Sequence, residues 1–150
     1  DFPREGNGFS YQYARRQWAL RDNPDLLYWC MGEFDEAIIH LVTRYRALEG
    51  TVPRRLFVSD TNKVLVFERG PLIFLFNFHS SLSVADYSVL VPPGTYHLVL
   101  DSDAEMFGGS GRIQPDQTFP LLTEMRDNAC CHVIKIYLPC RTAMVLERTI

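Results

Sequence analysis

The hydrophobic residues of this chain change their spacing once, at Pro53, and that change constrains the fold more than any other feature. Before it, Leu26, Leu27, Cys30, Met31, Phe34, Ile38, Leu41, Val42, Tyr45 and Leu48 recur at three- and four-residue steps, the spacing of an apolar stripe along an α-helix. Asn23 is placed to cap the free backbone donors, Pro24 fits the first helical position, and Asp25 sits near the positive end. Arg44 and Arg46 complement the opposite end, and Gly50 with Pro53 stops the run. The pattern predicts one helix over residues 23–48, with a stripe broad enough to cover more than one face of a sheet.

After Pro53 the period falls to two. Short alternating or wholly apolar runs at 63–69, 72–79, 87–91, 96–100, 132–138 and 143–147 are separated by Pro and Gly turns, which predicts strands. Arg69-Gly70-Pro71 reads as the tight connection of a hairpin. Phe74, Phe76 and Phe78 share one face of the second strand and Ile73, Leu75 and Asn77 the other, so that strand belongs in the middle of a sheet. Ile134 and Ile136 alternate with Lys135, as in a sheet with one wet face. The class is mainly β, an antiparallel sandwich or barrel preceded by a helical segment.

A chain of 150 residues that is 47% hydrophobic and 22% charged has enough apolar material for one ordinary core. A net charge of −3 offers no electrostatic attraction to nucleic acid or to anionic lipid. The longest apolar run, residues 71–76, is far below the roughly 20 residues that span a bilayer, so a soluble protein is expected. The chain opens at Asp1 in a dense polar and aromatic stretch, which fits a piece of something longer. Cys30, Cys130, Cys131 and Cys140 form no spaced framework, which points to a reducing compartment rather than to disulfides, and only Cys130-Cys131-His132 cluster at all, so neither a metal nor a cofactor is expected.

Most candidate chemistry fails on spacing. Asp101-Ser102-Asp103-Ala104-Glu105 opens like a calcium loop, but Met106 and Arg112 stand where Gly and Glu are needed; a solvated turn bonding local amides is expected instead. Gly108-Gly109-Ser110-Gly111-Arg112 lacks the Gly-Lys-Ser/Thr ending of a phosphate loop, and Arg112 occupies the glycine position of a nucleophile elbow. Glu33, Asp35 and Glu36 fall on the polar side of the helix, and His40, His79, His97 and His132 are isolated, so none is assigned catalysis. The first eighteen residues differ in kind. Phe2, Phe9, Tyr11, Tyr13 and Trp18 are interleaved with Asp1, Arg4, Glu5, Asn7, Arg15, Arg16 and Gln17, a mixture that either holds sugar rings or packs a loop against a neighbouring domain.

Asp1-Phe2-Pro3-Arg4-Glu5-Gly6-Asn7 and Tyr13-Ala14-Arg15-Arg16-Gln17-Trp18 resemble the glycogen and starch branching enzymes, relatives of the α-amylases. Weaker blocks follow in the same order: Phe67-Glu68-Arg69, Phe76-Asn77-Phe78-His79, Leu100-Asp101-Ser102-Asp103, Phe107-Gly108-Gly109 with Gly111-Arg112, and Pro139 with Arg141-Thr142-Ala143. Departures lie at 29–32, 114–117 and 120–131. The resemblance implies that residues 1–52 are the last loop and helices of a catalytic (β/α)8 barrel, and that 53–150 form a C-terminal antiparallel β-sandwich of the α-amylase type. It implies that the Asp nucleophile and Glu acid/base, which must stand about 5 Å apart at one glycosidic bond, lie upstream. This stretch then contains no catalytic residue and touches α-glucan through Asp1, Phe2, Arg4 and Asn7, in the cytoplasm or, for starch, a plastid. A stand-alone carbohydrate-binding module and an inactive relative are the alternatives.

Overall fold

The computed structural model describes residues 18–50 and 52–149. Two helices, α1 (Trp18–Arg21) and α2 (Tyr28–Arg44), precede nine strands. These are β1 (Arg54–Ser59), β2 (Val64–Arg69), β3 (Leu72–Asn77), β4 (Val84–Leu90), β5 (Thr95–Asp101), β6 (Thr118–Phe119), β7 (Leu122–Arg126), β8 (Ala129–Leu138) and β9 (Thr142–Thr149), with a 3₁₀ turn at Glu105–Phe107.

Helix α2 is shorter at both ends than the apolar spacing predicts. The Asn23 side chain accepts from the Asp25 amide at 2.9 Å and its carbonyl from Leu26 at 3.2 Å, so Asn23-Pro24 makes a separate turn. The helix proper starts one turn later, after Leu27, with no side-chain cap. Its other end closes before Gly50 is reached. The Arg46 amide donates to Thr43 and the Ala47 amide to Val42, while Arg46 itself is left-handed at φ 47°. That is a Schellman closure with arginine where glycine is usual.

The strands form a six-stranded sheet in the order β1-β2-β3-β9-β5-β6 and a three-stranded sheet in the order β4-β8-β7, antiparallel throughout. Strand β3 lies between β2 and β9, and the β2–β3 hairpin turns at Gly70, φ 59°. The sandwich core sets Val66, Ile73, Leu75, Met144 and Leu146 against Val89, Ile134, Ile136 and Leu138. Lys135 points outward, as alternation requires. Three strands were not expected from the sequence. The edge strand β1 opens on Arg54-Arg55 and carries a bulge, β6 is two residues long, and β7 is a largely exposed edge. A two-residue turn at Asp127-Asn128, both at positive φ, fits the twist of β7 and β8 and starts β8 at Ala129.

The outer face of the larger sheet carries the helix. Leu41 and Ala47 pack with Leu72 and Val145, and Tyr45 and Phe74 join the same cluster. The Tyr45 hydroxyl donates to Glu147 at 2.8 Å. Beyond the helix, Phe67, Phe74, Phe76 and Phe78 form a ladder of near-parallel rings, with centroids 4.8, 5.9 and 5.4 Å apart. Burying alternate faces of β3 thus supports two separate apolar clusters.

Candidate functional site

Asp1, Phe2, Arg4 and Asn7, the residues expected to touch glucan, lie outside the described residues, as do Phe9, Tyr11, Tyr13 and Arg15–Gln17. Among the described residues the densest polar constellation is at one end of the sandwich, where β5 runs into the loop 102–117. It is not the solvated turn expected from the sequence. Asp101 and Asp103 are buried.

The loop is shaped by its own amides. Ser102 exchanges hydrogen bonds with Ala143 of β9, its N–H donating to the carbonyl at 2.9 Å and its hydroxyl accepting at 2.8 Å. The Asp103 amide donates to the Asp101 carboxylate at 2.9 Å. The 3₁₀ turn then closes at Gly108, φ 74°, and a Cβ on Gly109 would sit 2.2 Å from the Asp103 carbonyl oxygen. Only glycine admits that approach. The tightness brings Arg112 back onto Asp103, donating through Nε at 2.8 Å and a terminal nitrogen at 3.0 Å. The amides of Ser110 and Arg112 donate to the same carboxylate, each at 3.2 Å.

Arg112 also reaches across the sandwich. It donates to the Cys140 carbonyl at 3.3 Å and to its sulfur at 3.7 Å, while the Cys140 amide donates to Ser83 at 3.0 Å. Nearby, the Asn77 amide group of β3 donates to Leu82 and, across to the second sheet, to Leu138 at 3.2 Å. The His79 amide donates back to Asn77, and His79 Nδ1 accepts the amides of Ser81 and Leu82. Buried polar groups are stable only when paired, and this network pairs donors and acceptors from both sheets.

The protonation states follow from these contacts. The Arg112 guanidinium, with the two loop amides, holds the Asp103 carboxyl below the ordinary carboxylate range, against burial. Burial pushes Asp101 the other way, opposed by the Asp103 amide. Ser83 and then Arg112 hold the Cys140 thiol low. Asp103 accepts four hydrogen bonds, two on each oxygen, so its carboxylate is committed to holding the loop. Among the described residues no group of three or more His, Cys, Asp or Glu is arranged for a metal ion.

The other candidates take structural places. Glu33 and Glu36 keep to the solvated side of the helix, their side chains 42 and 58% exposed, where Arg21 of α1 donates to Glu33 at 3.1 Å and lies 3.9 Å from Glu36. His40 pairs with Glu36 at 3.9 Å and His97 with Thr118 at 3.0 Å. His132 and Cys130 are exposed and all four cysteines are free. Cys30 is buried against Gly108, where a Cβ would stand 2.9 Å from its sulfur, and Phe34 meets Phe107 edge-on at 5.2 Å. The loop therefore also seats the first half of α2. Sequence spacing missed this site because Asp103 and Arg112 match no catalytic or metal motif; the usable signal was an acid and a base separated by three glycines.

A helix on the outer face of a two-sheet antiparallel sandwich, with the sheets tied by a buried polar clasp, is an all-β domain with a helical extension. Residues 57–149 match the alpha amylase C-terminal all-beta domain, and the chain belongs to that family. It is 43% identical to the 1,4-alpha-glucan-branching enzyme of Yarrowia lipolytica over 149 residues, 99% of this chain and 22% of that protein. The Saccharomyces cerevisiae 1,4-alpha-glucan-branching enzyme is 41% identical over 97% of the chain and 21% of its own length. The chloroplastic/amyloplastic 1,4-alpha-glucan-branching enzyme of Oryza sativa subsp. japonica is 40% identical over 99% of the chain and 19% of its own length. The chain thus spans about a fifth of these curated relatives, in their C-terminal part.

Proposed function

We propose that this chain is the closing, non-catalytic portion of a glucan branching enzyme, whose whole protein moves α-1,4-glucan segments onto a sugar 6-hydroxyl. In this reading residues 1–52 complete the catalytic barrel and 53–150 form the β-domain that braces it. The carrying observation is an apolar patch at the start of α2 that the β-domain leaves bare. Leu27, just before the helix, and Tyr28 and Met31 in its first turn are 81, 59 and 68% exposed, and Ile39, beyond the exposed Asp35, is 57% exposed, while Cys30, Phe34 and Leu41 of the same helix face the loop and sheet. An apolar patch of that kind calls for a second apolar surface, and the catalytic barrel of the proposed whole enzyme would supply one. The Phe67–Phe78 ladder supports the same neighbour. Phe78 at its end is 64% exposed and offers that neighbour a further apolar contact.

The reading places the nucleophile and the acid/base upstream, and Asp1, Phe2, Arg4 and Asn7 on the rim of the glucan groove. It puts the enzyme in the cytoplasm or, if starch is the store, in a plastid; among the described residues no helix is long and apolar enough to cross a membrane. A stand-alone module would leave the α2 patch uncovered. Two measurements on the 150-residue chain test the proposal. Amylose incubated with it should keep its iodine absorbance, and electrophoresis in a glycogen gel should retard wild type more than Phe2→Ala and Arg4→Ala. Branching by the chain alone overturns the non-catalytic role, and equal migration of wild type and variants overturns the rim assignment.

A further inference from the structure

Among the described residues, β1 and β6 end the larger sheet and β4 and β7 the smaller. An edge strand presents free backbone N–H and C=O groups to any second strand, and folds blunt it with charge, bulges, proline or short length. β1 carries Arg54-Arg55 and a bulge, and β6 is two residues long. β4 slips register between Val84 and Tyr87, where Asp86 is left-handed at φ 50°. β7 has none of these devices. It pairs with β8 residue for residue from Leu122 to Arg126 and contains neither Pro nor Lys.

The phase of that pairing fixes which groups are free. Bonded and non-bonded pairs alternate along an antiparallel ladder. The two-residue turn at Asp127-Asn128 makes Arg126 and Ala129 a bonded pair, and with them Glu124 with Cys131 and Leu122 with Val133. The other side of β8 has the matching phase, since the Val91 amide donates to His132 at 3.1 Å. The backbone N–H and C=O of Thr123 and Met125 therefore point away from β8, toward a side where no described strand pairs.

The side chains make this edge complementary to itself. Met125 is 70% exposed. Glu124 and Arg126 share the opposite face, 3.1 Å apart. A second β7 laid antiparallel, with Met125 beside its own copy, sets Glu124 of each chain opposite Arg126 of the other. Moving the axis one residue, to Glu124, sets like charges opposite one another, which is destabilising.

We propose that β7 pairs antiparallel with β7 of a second copy of this chain, across a two-fold axis at Met125. The two Met125 residues exchange a pair of backbone hydrogen bonds, and the three-stranded sheets join into one of six. A five-residue edge falls at the small end of specific interfaces, so the dimer is weak and reversible. The dimer is independent of the branching-enzyme reading, which uses the α2 patch and not β7.

The test is sedimentation equilibrium of the 150-residue chain from micromolar to millimolar concentration, with a reductant present because Cys130 is exposed. The average mass should climb from one chain toward two. Met125→Pro removes an amide that β8 does not use, so it should keep the near-UV circular dichroism and stay monomeric. Glu124→Arg and Arg126→Glu each set like charges across the axis and should weaken self-association about tenfold. Mixed together, those two variants regain opposite charges at both contacts and should associate about as tightly as wild type, a result that decides the matter even if the proline costs stability. A wild type that stays monomeric to millimolar concentration overturns the proposal, as does assembly beyond two chains. So does self-association that survives Met125→Pro, or a mixture no tighter than its components.

Discussion

Replacing Arg112 with Met removes both side-chain hydrogen bonds to Asp103 while keeping the length of the side chain. The Asp103 side chain is 8% exposed and that of Arg112 is 31% exposed, so the carboxylate is stranded and the guanidinium is not. Breaking a buried pair from one side costs about 3–5 kcal/mol. Two backbone amides stay on Asp103, and solvent already screens Arg112 in part, which sets the expectation near the lower bound, about 3 kcal/mol. For a chain of this size each kcal/mol moves Tm by about 2–4 °C, so calorimetry should find a drop of roughly 6–12 °C. The double variant Asp103→Asn, Arg112→Met removes the stranded charge and should recover part of the loss. The same pair fixes a pH dependence. Because the folded Asp103 carboxyl is held below its unfolded value, its contribution is complete above about pH 4 and disappears as pH falls through the lower folded value. Wild type should therefore converge on Asp103→Asn in acid. A loss under about 0.5 kcal/mol for Arg112→Met, which is what an ordinary surface substitution gives, refutes the clasp.

Gly109→Ala should cost at least about 2 kcal/mol by chemical denaturation, since its Cβ collides with the Asp103 backbone. Combined with Arg112→Met the effects should fall short of additive, because both open the same loop. Leu75→Ala, at a fully buried position between the two sheets, should cost about 2–5 kcal/mol in a urea titration with the midpoint moved and the slope kept.

The sheet interior was legible in the sequence because one face of each strand is buried, and alternation reports that directly. Ile73, Leu75, Ile134 and Ile136 are the evidence. The edges were not: β7 is a strand by pairing with β8, and its residues Leu122-Thr123-Glu124-Met125-Arg126 carry no period a partner-blind reading could use. Helix α2 was legible in kind but not in length, because Asn23 bonds locally instead of capping and because Arg46 takes a left-handed conformation that sequence rules reserve for glycine. The clasp was misread for a different reason. Asp101 and Asp103 look solvated when only their neighbours in sequence are considered, and Arg112 and Cys140 enter through tertiary contacts alone.

Blocks that resemble branching enzymes include Asn77, His79, Asp103, Gly109, Arg112 and Ala143, and each makes a hydrogen bond or close approach in the buried polar end of the sandwich. The departures at 29–32, 114–117 and 120–131 are mostly exposed; Met31, Gln114, Leu122, Met125 and Cys130 all face solvent. An apolar core position tolerates hydrophobic side chains of similar volume at modest cost. A carboxylate held by one guanidinium and two backbone amides, above a glycine with no room for a methyl, fixes the guanidinium and the glycine by identity and bars only proline at the two amides. The polar clasp, rather than the larger hydrophobic core, is therefore the part of this β-domain that dictates particular residues.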